Sequence, residues 1–93
     1  MITLFFSRGS AIRRVFIDGR VITLLDAAVG NVPIIIDLDK IDEKQIKERM
    51  GEEGMKFIRE IALLKTDEEI VQDIKRDFQS LGWRLYNRQD DSL

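Results

Sequence analysis

The chain has 93 residues, with 15 Lys and Arg against 17 Asp and Glu, and contains neither cysteine nor histidine. That length folds as one domain with one modest core, burying roughly 65% of the surface an unfolded chain exposes. The missing residue types exclude disulfides, Cys-ligated zinc, thiol catalysis, Ser-His-Asp triads and His-bound metal.

The 44% hydrophobic and 34% charged content fits a soluble globular protein. No apolar run approaches the ~18–20 residues of a membrane span, and the N-terminus lacks a secretory pattern, so the expected compartment is the cytoplasm. Thirteen isoleucines, the density of charge and the absence of cysteine lean toward a thermophilic source. Residues 1–36 carry Arg8, Arg13, Arg14 and Arg20 against Asp18 and Asp26, whereas residues 37–93 hold eleven basic and fifteen acidic groups.

Ile2-Thr3-Leu4-Phe5-Phe6 reads as a strand of bulky β-formers. Ser7-Arg8-Gly9-Ser10 is a turn cluster, without the Gly-Lys-Ser/Thr ending of a phosphate-binding loop. Residues 12–17 form a second strand. Asp18-Gly19 then supplies the strongest hairpin signal in the chain, as the central pair of a type I′ turn that needs positive φ at both positions. Residues 21–25 return as a third strand and complete a meander, and residues 26–31 connect onward. Pro33 heads Ile34-Ile35-Ile36. A run apolar on both faces predicts a buried strand near 32–37, in the interior of the sheet.

From Asp39 the apolar period changes. Asp42 is a helix cap with Gln45 three residues on, and Ile41, Ile46 and Met50 form a short stripe. Two glycines, Gly51 and Gly54, each cost ~1 kcal/mol inside a helix and predict a break there. Met55, Phe57, Ile58, Ile61, Ala62 and Leu64 make the apolar face of the next segment. Thr66-Asp67-Glu68-Glu69 is a full capping box, followed by Ile70, Val71, Ile74, Phe78 and Leu81 at helical spacing, with Gly82 as the stop. Trp83-Arg84-Leu85-Tyr86 reads as a short closing strand.

Strands, then helices, then one strand predict an α+β fold. Its small, mostly antiparallel sheet is built from the N-terminal meander, the strand near 32–37 and the C-terminal strand, with two to three helices packed on one face. Residues 1–86 form the expected domain, and residues 87–93 a polar tail expected to fray.

Asp37-Leu38-Asp39 is the sharpest candidate for chemistry. Carboxylates at i and i+2 at the end of a strand point to one side and can share Mg²⁺, although Asp at a helix start is more ordinarily a cap. Val15-Phe16-Ile17-Asp18-Gly19, with Val32-Pro33-Ile34-Ile35-Ile36-Asp37-Leu38-Asp39, resembles the two signature strands of the toprim domain. That resemblance implies magnesium-dependent phosphodiester chemistry, with Asp37 and Asp39 as the metal-binding and catalytic pair. Asp18 stands where that family has glutamate, and the 19-residue spacing leaves no room for its intervening strand and helix.

The arginines at 8, 13, 14 and 20 suit phosphate better than lysine does. If Phe5, Phe6, Phe16, Trp83 or Tyr86 lies on an open sheet face beside Arg13, Arg14 or Arg84, the combination is a stacking surface for single-stranded nucleic acid. On a covered face the same rings are core or dimer contact. A sheet this small, covered on one face only, is most simply completed by a second copy. The expected protein is therefore a non-enzymatic interaction or accessory protein acting as a homodimer, without a cofactor. The first alternative is a weak nucleic-acid binder using Arg8, Arg13, Arg14 and Arg20. The second is a Mg²⁺-dependent phosphodiesterase or nuclease using Asp37 and Asp39.

Overall fold

The computed structural model describes residues 1–26 and 32–91. The elements are β1 (Ile2–Arg8), β2 (Ala11–Asp18), β3 (Val21–Asp26), β4 (Ile34–Asp37), α1 (Glu43–Ala62), α2 (Asp67–Ser80) and β5 (Arg84–Asp90). All strands pair antiparallel in one open sheet, ordered β4-β3-β2-β1-β5, and the fold is α+β as the sequence predicts.

Alternation decides the register of the meander. Leu4 and Phe6 on β1, Val15 and Ile17 on β2, and Ile22 and Leu24 on β3 all point to the covered face and are buried. A slip of one residue would turn every one of them to the other side. Asp18 pairs with Val21, so the two-residue loop is Gly19-Arg20, one position later than the expected Asp18-Gly19. Gly19 takes the first central position at φ 60°, a conformation that costs little only without a Cβ. The register sets this position: Asp18 completes the ladder opposite Val21.

The isoleucine run is also placed differently. β4 is an edge strand, not an interior one: Ile36 is buried, whereas Ile35 is 57% exposed. The two helices carry the chain across the covered face, so the last strand adds beside β1 and not outside β4. Pro33, which lacks an amide donor, is compatible with the approach to such an edge.

Asp42 caps α1, its side chain accepting from the Gln45 amide at 3.2 Å. The expected break falls at Gly51, which has φ 75° and ψ −175° and separates two helical segments. Three residues on, a Cβ at Gly54 would lie 2.3 Å from the Met50 Cβ, so the bend needs both glycines. Thr66 and Glu69 form the complete capping box of α2. Ile46, Met55, Ile58 and Ile61 of α1 and Ile70, Val71, Ile74 and Phe78 of α2 are buried in a single cluster with the inward sheet residues and Trp83. Leu81, expected on the same stripe, is instead 62% exposed. Helical geometry ends at Ser80, and Leu81 is the C-cap, so the periodicity no longer aims its side chain inward.

β5 continues past Tyr86 through Asp90, where a frayed tail was expected. β1 offers it a row of backbone groups, and polar side chains do not prevent such pairing. Arg88 adds a side-chain anchor by binding both Glu68 of α2 and Asp90. The hydrogen bonds from this guanidinium hold both carboxyls below their usual range.

Candidate interaction surface

No described residue of either helix covers the second face of the sheet; the cross-strand register fixes what lies there. One row contains Thr3, Phe16, Thr23 and Ile35, on four adjacent strands. On one side of it runs a row with Phe5, Arg14 and Leu25, and on the other a row with Asp18, Val21 and Asp37. Ser7 and its partners Ile12 and Arg84 lie beyond Phe5. Tyr86 leans onto the same face, its ring centroid 6.1 Å from that of Phe5. Ile12, Val21, Ile35 and Tyr86 are among the exposed large apolar side chains. A soluble monomer ordinarily keeps contiguous apolar patches to a few hundred Å².

The structure separates the four N-terminal arginines. Arg13 lies on the covered side, paired with Asp26 at 2.8 Å, its guanidinium 4.2 Å from the Trp83 ring and 5.1 Å from that of Phe78. Arg8 packs against Trp83 from 4.7 Å and donates to the Leu81 carbonyl at 3.1 Å. Arg20 donates to the Leu64 and Ala62 carbonyls at 2.6 and 2.7 Å and pairs with Asp39 at 3.2 Å. It thereby ties the β2–β3 turn to the end of α1. Only Arg14 of the four lies on the open face.

Of all nine arginines, Arg14 and Arg84 alone have no hydrogen-bond or ion-pair partner among the described residues, and both lie on that face. Residue type and spacing group Arg14 with its neighbours, because burial by distant elements leaves no local trace in the sequence. Alternation alone would have separated Arg13 from Arg14.

The acidic pair is not arranged as its spacing suggests. The strand ends at Asp37, and a turn closes with Lys40 donating to the Asp37 carbonyl at 3.0 Å. Asp39 therefore leaves the strand alternation that would have put both carboxylates on one side. The Asp37 carboxylate accepts from the Asp39 amide at 2.9 Å, and the Asp39 carboxylate accepts from Arg20. Asp18 and Asp37 are two strands apart, about 10 Å by strand spacing. Among the described residues no group of three or more carboxylates is placed to hold a metal ion.

A cleft of about 680 Å³ opens between α1, α2 and β3, lined by Leu24, Met50, Phe57 and Phe78 together with Arg13 and Arg49. Arg13 is held there by Asp26, and Arg49 donates to the carbonyls of Val32 and Pro33. These two guanidiniums brace the fold. The open face, by contrast, combines apolar area with unpartnered charge.

Among the described residues, no helix is long and apolar enough to cross a membrane. Compared with known proteins, the chain matches no family model, no curated protein and no solved structure.

Proposed function

We propose that this chain is a small non-enzymatic interaction protein of the cytoplasm that acts as a homodimer, docking through the open face of its sheet. The observation that carries the reading is the apolar character of that face. Phe5, Ile12, Phe16, Val21, Leu25, Ile35 and Tyr86 share it, and no helix among the described residues lies over it. The sheet edges invite partners less. β4 has four residues and follows a proline, while β5 carries a register shift opposite Phe5 and Phe6 and bears Arg84, Arg88 and Asp90. Short, charged and bulged edges are the usual protection against strand pairing.

Light scattering across a concentration series tests the reading, with twice the 10.8 kDa chain mass expected at high concentration. Phe16→Glu should yield a monomer that still unfolds cooperatively. A chain monomeric throughout the series overturns the proposal. The same composition that supports thermophilic origin supports a melting midpoint above the mesophile range of ~45–65 °C.

One observation favours a second reading: both unpartnered arginines stand beside Phe5, Phe16 and Tyr86, the residue types that bind single-stranded nucleic acid. That reading requires an affinity that falls steeply with salt.

A further inference from the structure

We propose that the open face is complementary to itself about a two-fold axis running across the strands, through the row of Thr3, Phe16, Thr23 and Ile35. A second copy then seats with Arg14 opposite Asp18 of the partner subunit. This rests on the homodimer reading above and adds its orientation and its polar contact.

The open face carries two unpaired charges on β2. Arg14 and Asp18 occupy the same face of β2, and neither has a hydrogen-bond or ion-pair partner among the described residues. They are four residues apart on one strand, about 13 Å, too far to pair within one copy. Arg14 is half-buried between Phe5 and Leu25, so covering this face buries its charge more deeply. Such burial is strongly unfavourable unless the partner brings a counter-charge.

The register limits where that counter-charge can come from. Rotation about an axis through Phe16 and across the strands exchanges the row of Phe5, Arg14 and Leu25 with the row of Asp18, Val21 and Asp37. Arg14 then faces the partner's Asp18, Leu25 faces the partner's Val21, and Phe16, Thr23 and Ile35 each approach their own copies. An axis along β2 would instead set Arg14 against its own copy, and one between β2 and β3 would set it against Leu25. Of these three axes, only the transverse one sets Arg14 against a carboxylate and Leu25 against an apolar side chain.

Sheets packed face to face lie ~10 Å apart with strands inclined by roughly 30°, within reach of an arginine and an aspartate side chain. Five strands at ~4.8 Å spacing and ~20 Å in length give a footprint on the order of 500 Å². Side-chain relief brings it toward the ~800 Å² per partner of a standard interface.

Charge reversal on the full-length chain tests this orientation. Arg14→Asp and Asp18→Arg should each weaken self-association roughly tenfold or more, since each sets like charges opposite each other. Mixing the two variants should restore association as a heterodimer, seen by mass spectrometry with one of them isotope-labelled. The double variant carrying both changes should dimerise like the parent. Circular dichroism verifies folding, and Arg14→Gln with Asp18→Asn provides a milder pair if either reversal unfolds the chain.

A dimer that neither reversal weakens, or a mixture that does not recover, overturns the orientation and leaves the homodimer standing. A parent chain that stays monomeric overturns both. A monomer that binds oligothymidine with a steep salt dependence does the same, and assigns the face to nucleic acid.

Discussion

Replacing Phe78 by alanine separates core from interface at the residue where three elements meet. Phe78 is 6% exposed. Its ring is edge-on to Phe6 at 4.8 Å and tilted against Phe57 at 6.4 Å, and the Arg13 guanidinium sits 5.1 Å from its centroid. Phe→Ala in a core costs about 3–5 kcal/mol through lost transfer energy and the cavity left behind. The paired rings favour the upper part of that range, by ~1 kcal/mol. Phe78 also lines the cleft beside α1, which gives solvent a route into the vacated space and lowers the cavity cost. We expect a loss of about 3–4 kcal/mol. With a urea slope of ~1–1.5 kcal/mol/M for a small domain, the unfolding midpoint falls by roughly 2–4 M. The measurement belongs at two protein concentrations, because association contributes to apparent stability. A loss below ~1 kcal/mol, or an unchanged midpoint accompanied by lost self-association, would refute the core assignment.

Gly19→Val should destabilise by ~1 kcal/mol or more, since a β-branched residue resists the positive φ of that turn; a neutral result in thermal unfolding would contradict the observed hairpin. Thr66→Ala should cost ~1 kcal/mol by removing the cap of α2, read from the same melts. Asp37→Asn and Asp39→Asn should each change stability by about 1 kcal/mol or less, and calorimetry should show no Mg²⁺-dependent stabilisation in parent or variants. A stabilisation abolished by both substitutions would restore the metal reading. Arg88→Met should return the Glu68 and Asp90 carboxyls to their ordinary titration range by carbon-13 NMR. Their carboxyl pKa values are lowered in the folded state, so their stabilisation is present above that range and fades as pH falls through the depressed values. The variant should therefore lose stability less steeply in acid than the parent, and unchanged midpoints would exclude the Arg88 contacts as the cause.

The strands and both helix caps were legible because their signals are local. Period-two alternation marks residues 2–25, and Thr66 to Glu69 is a complete capping box within four residues. The hairpin was displaced by one position because Gly19 suits either central site, and only pairing across the ladder distinguishes them. The place of Ile34-Ile35-Ile36 was not legible. Strand order depends on where the helices deliver β5, a contact between opposite ends of the chain. The same limit governed the site. Alternation puts Phe5, Arg14 and Phe16 on one face or the other, but which face the helices cover is a tertiary outcome. Arg20 shows the limit most plainly, since its carbonyl acceptors at Ala62 and Leu64 lie 42 and 44 residues away.

β1 finds its two neighbours at very different times. β2 follows it after a two-residue loop, whereas Met1 and Asp91, hydrogen-bonded across the other side, are 90 positions apart. At ~5–20 residues per second of synthesis, roughly 5–18 s pass before β5 exists. During that interval β1 is an unprotected edge beside an apolar face, and a β5 from a neighbouring chain can fill the vacancy as well as its own. Contacts this distant also slow refolding, because the closure entropy comes before any reward. The strand order thus exposes the nascent protein to swapping of β5 between chains, with the α2–β5 connection, where Gly82 lies, as the hinge across which the strand would exchange.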